Sequence, residues 1–180
     1  MSKEKVSKAV DEAMTRQLEP VCEIASELIG LAQDQALTIG TAESCTGGMI
    51  AAALTSVPGS SEVFKGSVVS YSNEIKIALL GVDGDTLSRN GAVSEEVALQ
   101  MAQGARRTLN VDVAVSSTGI AGPGGGSAEK PVGTVWIALS GDHGQAASRY
   151  HFKGGRDQVR EATVRAALQD LKAFVQRLSG

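Results

Sequence analysis

The chain has 180 residues, 42% of them apolar and 21% charged, with 17 basic against 20 acidic side chains and a net charge of −3. That balance fits one globular domain and excludes wholesale disorder. It offers no basic field to draw in nucleic acid, and no apolar run approaches the roughly 18 residues of a membrane span.

Glycine is frequent (21 residues), whereas proline (4) and aromatic residues (3%) are scarce. The core must therefore be filled by Val, Ile, Leu and Ala, which suits helices laid closely on a sheet. The opening Met1-Ser2-Lys3-Glu4-Lys5 mixes both charge signs and leads into no apolar run, unlike a signal peptide. The two cysteines, Cys22 and Cys45, stand far apart with no CxxC and no Cys/His cluster. They argue against a disulfide scaffold or a zinc site and fit a cytoplasmic location.

In chain order, Val6, Val10 and Met14 recur at helical steps up to Pro20, and Val21, Ile24, Leu28 and Leu31 form an amphipathic stripe. Leu37 to Ala42 reads as a strand, Ser44 to Gly48 as a small-residue turn, and Met49 to Leu54 as a helix punctuated by Pro58-Gly59. Val68 to Tyr71 is a second strand. Asn73 to Leu80 is a helix closed by Gly81. Asn90-Gly91 is a turn, and Ser94 is expected to cap a helix with Glu95 and Glu96 in its first turn and the stripe Val97, Met101, Ala105 and Leu109. Val111, Val113 and Val115 mark a third strand, followed by a glycine-rich loop from Gly119 to Pro131. Val135 to Leu139 is a strand buried on both faces, Gly141 to Gly144 a hairpin turn, and Ser148 to Phe152 a fifth strand. Val164, Leu168, Leu171, Val175 and Leu178 place the last helix. Alternating helices and strands predict a three-layer α/β/α sandwich on a mixed, largely parallel sheet of about five strands.

Three strand ends carry unusual chemistry: Ala42-Glu43-Ser44-Cys45-Thr46-Gly47-Gly48, Tyr71-Ser72-Asn73-Glu74-Ile75-Lys76, and Ser117-Thr118-Gly119-Ile120-Ala121-Gly122-Pro123. In open α/β sheets ligands bind beyond the carboxyl ends of the strands, and parallel strands would gather these three on one rim. The first turn can be a helix cap or hold a nucleophile. Lys76 can be a solvated helix residue or a base, and the Gly119–Gly126 segment a flexible loop or a phosphate cradle. P-loop, GxGxxG, GxSxG and HExxH patterns are absent, and the SxxK matches at Ser2–Lys5 and Ser127–Lys130 fall in a tail and a loop. His143 in a turn and His151 in a strand are poor bases, so another group must take the proton if Ser44 attacks.

The segments Thr41-Ala42-Glu43-Ser44-Cys45-Thr46-Gly47-Gly48, Tyr71-Ser72-Asn73-Glu74-Ile75-Lys76, Gly91-Ala92-Val93-Ser94, Thr118-Gly119-Ile120-Ala121-Gly122-Pro123 and Lys130-Pro131-Val132-Gly133-Thr134-Val135 occur in this order. Together they resemble the CinA C-terminal domain family, which includes stand-alone nicotinamide-nucleotide amidases, over roughly residues 20 to 178. The resemblance implies hydrolysis of nicotinamide mononucleotide to nicotinate mononucleotide and ammonia, without cofactor or metal. It implies Ser44 as nucleophile, Lys76 as base, and Tyr71 and Thr118 as supporting residues. Expected substrate contacts are Thr46, Gly47, Gly48, Asn73, Gly119, Ile120, Ala121 and Gly122. Arg156 is either a phosphate ligand or a plain surface residue. Oxyanion donors would be backbone amides of the Ser44–Gly48 turn or near Gly119. Related proteins suggest self-association. The chain is too short for the additional N-terminal domain of longer members; residues 1–20 are expected to form a helical extension ahead of an amidohydrolase domain at 21–180. The alternatives are a nucleotide-binding module without turnover and a competence- or damage-related protein-interaction domain.

The implied chemistry makes one structural demand. An ordinary lysine, with a pKa of about 10.4, is neutral in only about one molecule in 2,500 at pH 7. Lys76 can serve as a base only if it is largely removed from water.

Overall fold

The computed structural model describes residues 21–178. The expected helical extension over residues 1–20, with its Val6, Val10 and Met14 stripe, lies outside the described residues. The first described helix, α1, runs over residues 21–34. It buries Val21, Ala25, Leu28, Ile29 and Ala32, so its contact face includes alanines that let it approach closely. The remaining elements are β1 (Ile39–Glu43), α2 (Met49–Thr55), a 3-10 turn (Ser60–Glu62), β2 (Phe64–Val69), α3 (Asn73–Leu80), α4 (Gly84–Asn90), α5 (Glu95–Leu109), β3 (Val113–Gly119), β4 (Thr134–Gly141), β5 (Gly144–His151) and α6 (Arg156–Leu178).

The five strands form one mixed sheet in the order β2-β1-β3-β4-β5. β1 pairs in parallel with both β2 and β3, whereas β3–β4 and β4–β5 are antiparallel. The switch follows from the connections. Parallel neighbours need a crossover of a dozen or more residues. The β1–β2 and β2–β3 crossovers carry helices, whereas β4 and β5 meet through the two residues Asp142 and His143.

Strand residues alternate between two helical layers. Ile39, Val113, Val115, Val135, Ile137 and Leu139 face α1, α2 and α6. Ala42 and Ala114 face α3, α4 and α5, and Ala138 meets the alanines of α5. This is the expected three-layer α/β/α sandwich.

Several local expectations shift. β2 starts at Phe64 and ends at Val69; as the edge strand it is half exposed, so it lacks a strong apolar pattern. Helix α4 was not anticipated, because its sequence Gly-Asp-Thr-Leu-Ser-Arg-Asn has no stripe. Its start is set by Asp83, whose carboxylate accepts from the amides of Asp85 and Thr86. Ser94 begins α5 but does not cap it through its side chain; its hydroxyl donates to the carbonyl of Gly91.

The parallel registers align Glu43 with Val69 on one side and with Ser117 on the other. The chain therefore leaves β1 and β2 and reaches the end of β3 along a single rim. Helix α3 is closed by Gly81 in the left-handed region (φ 66°), with its amide donating to the carbonyl of Ile77. It rests on α5 at a point where only glycine fits: a Cβ on Gly104 would lie 2.0 Å from the carbonyl oxygen of Leu80. Gly104→Ala must push the two helices apart. We expect a loss of about 1–3 kcal/mol in urea unfolding, and, because α3 carries Lys76, a fall in any activity that depends on that side chain.

Candidate active site

Glu43 ends β1 fully buried. Its carboxylate turns over the start of α2, where Oε2 accepts from the amides of Gly48 (2.9 Å) and Ile50 (3.1 Å) and Oε1 from that of Ala51 (2.8 Å). A helix start attracts an anion, and here the chain supplies that anion itself. The cap of α2 is Glu43, not Ser44 or Thr46. The intervening turn is pinned on several sides. The Ser44 amide donates to the Ser117 carbonyl (2.9 Å) and the Gly47 amide to the Ser44 carbonyl (3.2 Å). Thr46 and Ser117 share a hydroxyl–hydroxyl hydrogen bond of 2.8 Å. From α6, Arg160 donates to the carbonyls of Cys45 (3.1 Å) and Thr46 (3.0 Å). Gly47 and Gly48 adopt φ of 61° and 97°, the left-handed region in which a side chain is strained.

With its backbone so engaged, Ser44 is left with a free side chain on the rim. Lys76 Nζ lies 3.0 Å from Ser44 Oγ and donates to the Ser70 carbonyl at 2.7 Å. The lysine is 1% exposed. Among the described residues no carboxylate lies within 4.0 Å of its nitrogen. Burial without a counter-charge pulls its pKa below the ordinary lysine value, and the neighbouring Cys45 acts weakly in the opposite sense. The solvated alternative for Lys76 is thus overturned. Cys45 does not compete as nucleophile: burial pushes its thiol up to about 11, so it stays protonated at neutral pH.

These groups open onto a cavity of about 210 Å³ lined by Ser44, Cys45, Tyr71, Asn73, Lys76, Ala92, Val93, Thr118, Gly119, Ala121 and Arg156. Thr118 is buried and its hydroxyl donates to the Ala92 carbonyl (2.8 Å), fixing the wall. Tyr71 is 63% exposed at the mouth. Its hydroxyl accepts from Arg156 Nη2 (3.0 Å), while Arg156 Nη1 donates to the Gly122 carbonyl (3.0 Å). Of the other residues singled out from sequence, Thr46, Gly47, Gly48 and Ile120 stand outside this lining, and Gly122 joins it only through Arg156. His143 and His151 are exposed and do not line it.

Sequence reasoning missed Glu43, Ser70, Ser117 and Arg160. Two signals were available: an acid directly before the serine at the end of an otherwise uncharged strand, and Arg160 one helical turn after Arg156.

Two measurements probe this arrangement. Because the folded pKa of Lys76 is lowered, the unfolded chain binds more protons between that value and the ordinary 10.5. The lysine's contribution to stability therefore rises with pH across that window and is level below it. We expect Lys76→Met to remove that rise and to increase the melting temperature at pH 7, read by calorimetry across pH. Glu43→Gln places amide hydrogens against amide donors, and we expect it to cost about 1–3 kcal/mol in chemical unfolding.

The sequence profile of the CinA C-terminal domain matches residues 21–175. A CinA-like protein of Thermotoga maritima is 45% identical over 148 residues, 82% of this chain and 36% of that protein. A putative competence-damage inducible protein of Acetivibrio thermocellus is 47% identical over 147 residues, again 82% and 36%. The chain thus spans about a third (36%) of the length of these relatives. Among solved structures, the competence/damage inducible protein CihA of Agrobacterium tumefaciens superposes with a TM-score of 0.84 at 47% identity, covering 86% of this chain and 94% of that one. A CinA superfamily protein of Escherichia coli gives 0.82 at 33%, covering 87% and 90%. Fold, motif order and similarity agree: the chain belongs to the CinA C-terminal domain family.

Proposed function

We propose that this chain hydrolyses the carboxamide of nicotinamide mononucleotide, releasing nicotinate mononucleotide and ammonia, with Ser44 as nucleophile and Lys76 as its base. The observation that carries the reading is the 3.0 Å contact between Ser44 Oγ and a lysine nitrogen that is 1% exposed and has no carboxylate partner among the described residues. A neutral amine keeps one N–H on the Ser70 carbonyl and turns its lone pair to the Ser44 hydroxyl.

In the first half-reaction the Ser44 proton passes to Lys76 as the Oγ–carbon bond forms and the carbonyl pair moves onto oxygen. Lys76 then returns the proton to the amide nitrogen, the C–N bond breaks, and ammonia leaves. Water attacks the acyl-serine with Lys76 again taking the proton; the ester bond breaks and Ser44 recovers its hydrogen. Thr118 holds the wall opposite. Arg156 and Tyr71 at the mouth suit the phosphate and ribose of a nucleotide, since among the described residues the guanidinium has no carboxylate partner.

The test is ammonia and nicotinate mononucleotide release from nicotinamide mononucleotide. Wild type should turn over, with kcat/KM rising with pH to a plateau as Lys76 loses its proton, below the ordinary lysine range. Ser44→Ala and Lys76→Ala should each lose about 10³-fold or more in kcat. Binding without ammonia release would instead support a nucleotide-binding module, and neither binding nor turnover a protein-interaction domain.

A further inference from the structure

Acyl transfer needs a donor for the negative oxygen that forms when Ser44 adds to the amide carbon. The amides of the Ser44 turn and the start of α2 are almost all spoken for. Those of Ser44, Gly47, Gly48, Met49, Ile50 and Ala51 have protein acceptors. Among the described residues, only Cys45 and Thr46 in this stretch have amides with no backbone acceptor and no acceptor on another residue, and that of Cys45 meets only its own sulfur, a weak acceptor. A buried N–H without a strong partner is costly, and both residues are buried. Only Cys45 lines the cavity. Its side chain belongs to the core cluster packed against α1, α2 and α6, with the thiol beside Ser117 and near Lys76. The α2 start is not the donor, because Glu43 occupies its amides.

Peptide geometry connects this amide to Arg160. The only cis peptide among the described residues is Gly122-Pro123, so each peptide of the turn has its carbonyl and N–H pointing in opposite directions. Arg160 holds the Thr46 carbonyl from the α6 side at 3.0 Å. The other end of that peptide, the Gly47 N–H, then points to the Ser44 carbonyl, which it meets at 3.2 Å. With the Ser44 carbonyl held there, the other end of its peptide, the Cys45 N–H, points outward from the turn. A second bond from Arg160 to the Cys45 carbonyl, at 3.1 Å, fixes the peptide between these two.

We infer that the Cys45 amide is the oxyanion donor for addition of Ser44 to the substrate carbonyl, and that Arg160 is the positioning residue that aims it through two successive peptides. The inference rests on the amidase reading for its substrate, but its donor geometry serves any acyl transfer to Ser44.

The test compares wild type, Arg160→Met and Arg160→Lys. Arg160→Met should lower kcat for nicotinamide mononucleotide by about 10²-fold with KM changed less than about threefold, the signature of a contact made only in the transition state. The pH limb set by Lys76 should not move. Binding of the aldehyde analogue of the substrate, which adds Ser44 as a hemiacetal, should weaken in step with kcat, while binding of nicotinate mononucleotide stays constant. Arg160→Lys should recover part of the loss. Acetylation of Ser44 by p-nitrophenyl acetate, followed by mass spectrometry, should slow by a similar factor in Arg160→Met.

Equal acetylation and equal kcat in Arg160→Met would overturn the inference and leave the amidase reading standing. A parallel loss of aldehyde and product binding, or a shifted pH limb, would reduce Arg160 to a structural role and overturn it too. If wild type releases no ammonia yet Ser44 acetylation depends on Arg160, the amidase reading falls and the donor assignment stands. A wild type inert to both reagents defeats both.

Discussion

A lysine with its nitrogen against a serine hydroxyl and no counter-charge among the described residues is an unfavourable object to bury, and the surrounding architecture is arranged around that burial. Helix α3 is only eight residues long, too short to be stable alone. It is held by the Ser72 hydroxyl at its start, by the left-handed Gly81 at its end and by the close approach of Gly104 on α5. Each of these fixes the angle at which Lys76 enters the rim. Burial without pairing lowers the lysine's pKa and so favours the neutral amine that the amidase reading requires of a base. In that reading, stability is given up at the position where the chemistry is done.

The second constraint is the use made of the α2 dipole. A helix starting directly after a nucleophile offers its N-terminus to substrate anions. Here Glu43 takes up three of those amides, so the dipole stabilises the turn instead of a ligand. The result is a turn held by Glu43 at the start of α2, by Ser117 on β3 and by Arg160 on α6. In the amidase reading the substrate phosphate must then be met elsewhere, and the guanidinium of Arg156 at the mouth suits it.

Much of the fold was legible because the central elements are strongly patterned. Strand β3 is marked by the alternating Val111, Val113 and Val115, β4 carries the apolar run Val135 to Leu139, α5 carries a continuous stripe, and α6 repeats Val164, Leu168, Leu171 and Val175 at helical steps. The unpatterned pieces were missed: α4 depends on one aspartate cap, and the first half of β2 is a half-exposed edge. At the site, Ser44 and Lys76 are 32 residues apart, and no local spacing reveals that a lysine is buried. Their pairing came from the ordered motifs, not from periodicity. Glu43 and Arg160 escaped notice because their main partners are backbone groups, which leave no residue-type pattern in the sequence.

The gradient of exposure across the cavity separates its tasks. Lys76 at 1% is shut off from water, Ser44 at 8% is just reachable, and Tyr71 at 63% stands in solvent. The amidase reading asks for a neutral base, and the dry end suits one because hydration favours the protonated form. The amidase reading also requires water at the acyl carbon, and the mouth beside Tyr71 and Arg156 gives it a route. In the amidase reading this makes the order of events geometric: a bound nucleotide fills the mouth and excludes water while Ser44 attacks, and departure of ammonia frees space for the water that Lys76 then activates. In that reading the same lysine serves both half-reactions, because it is buried against the serine and shut off from the mouth.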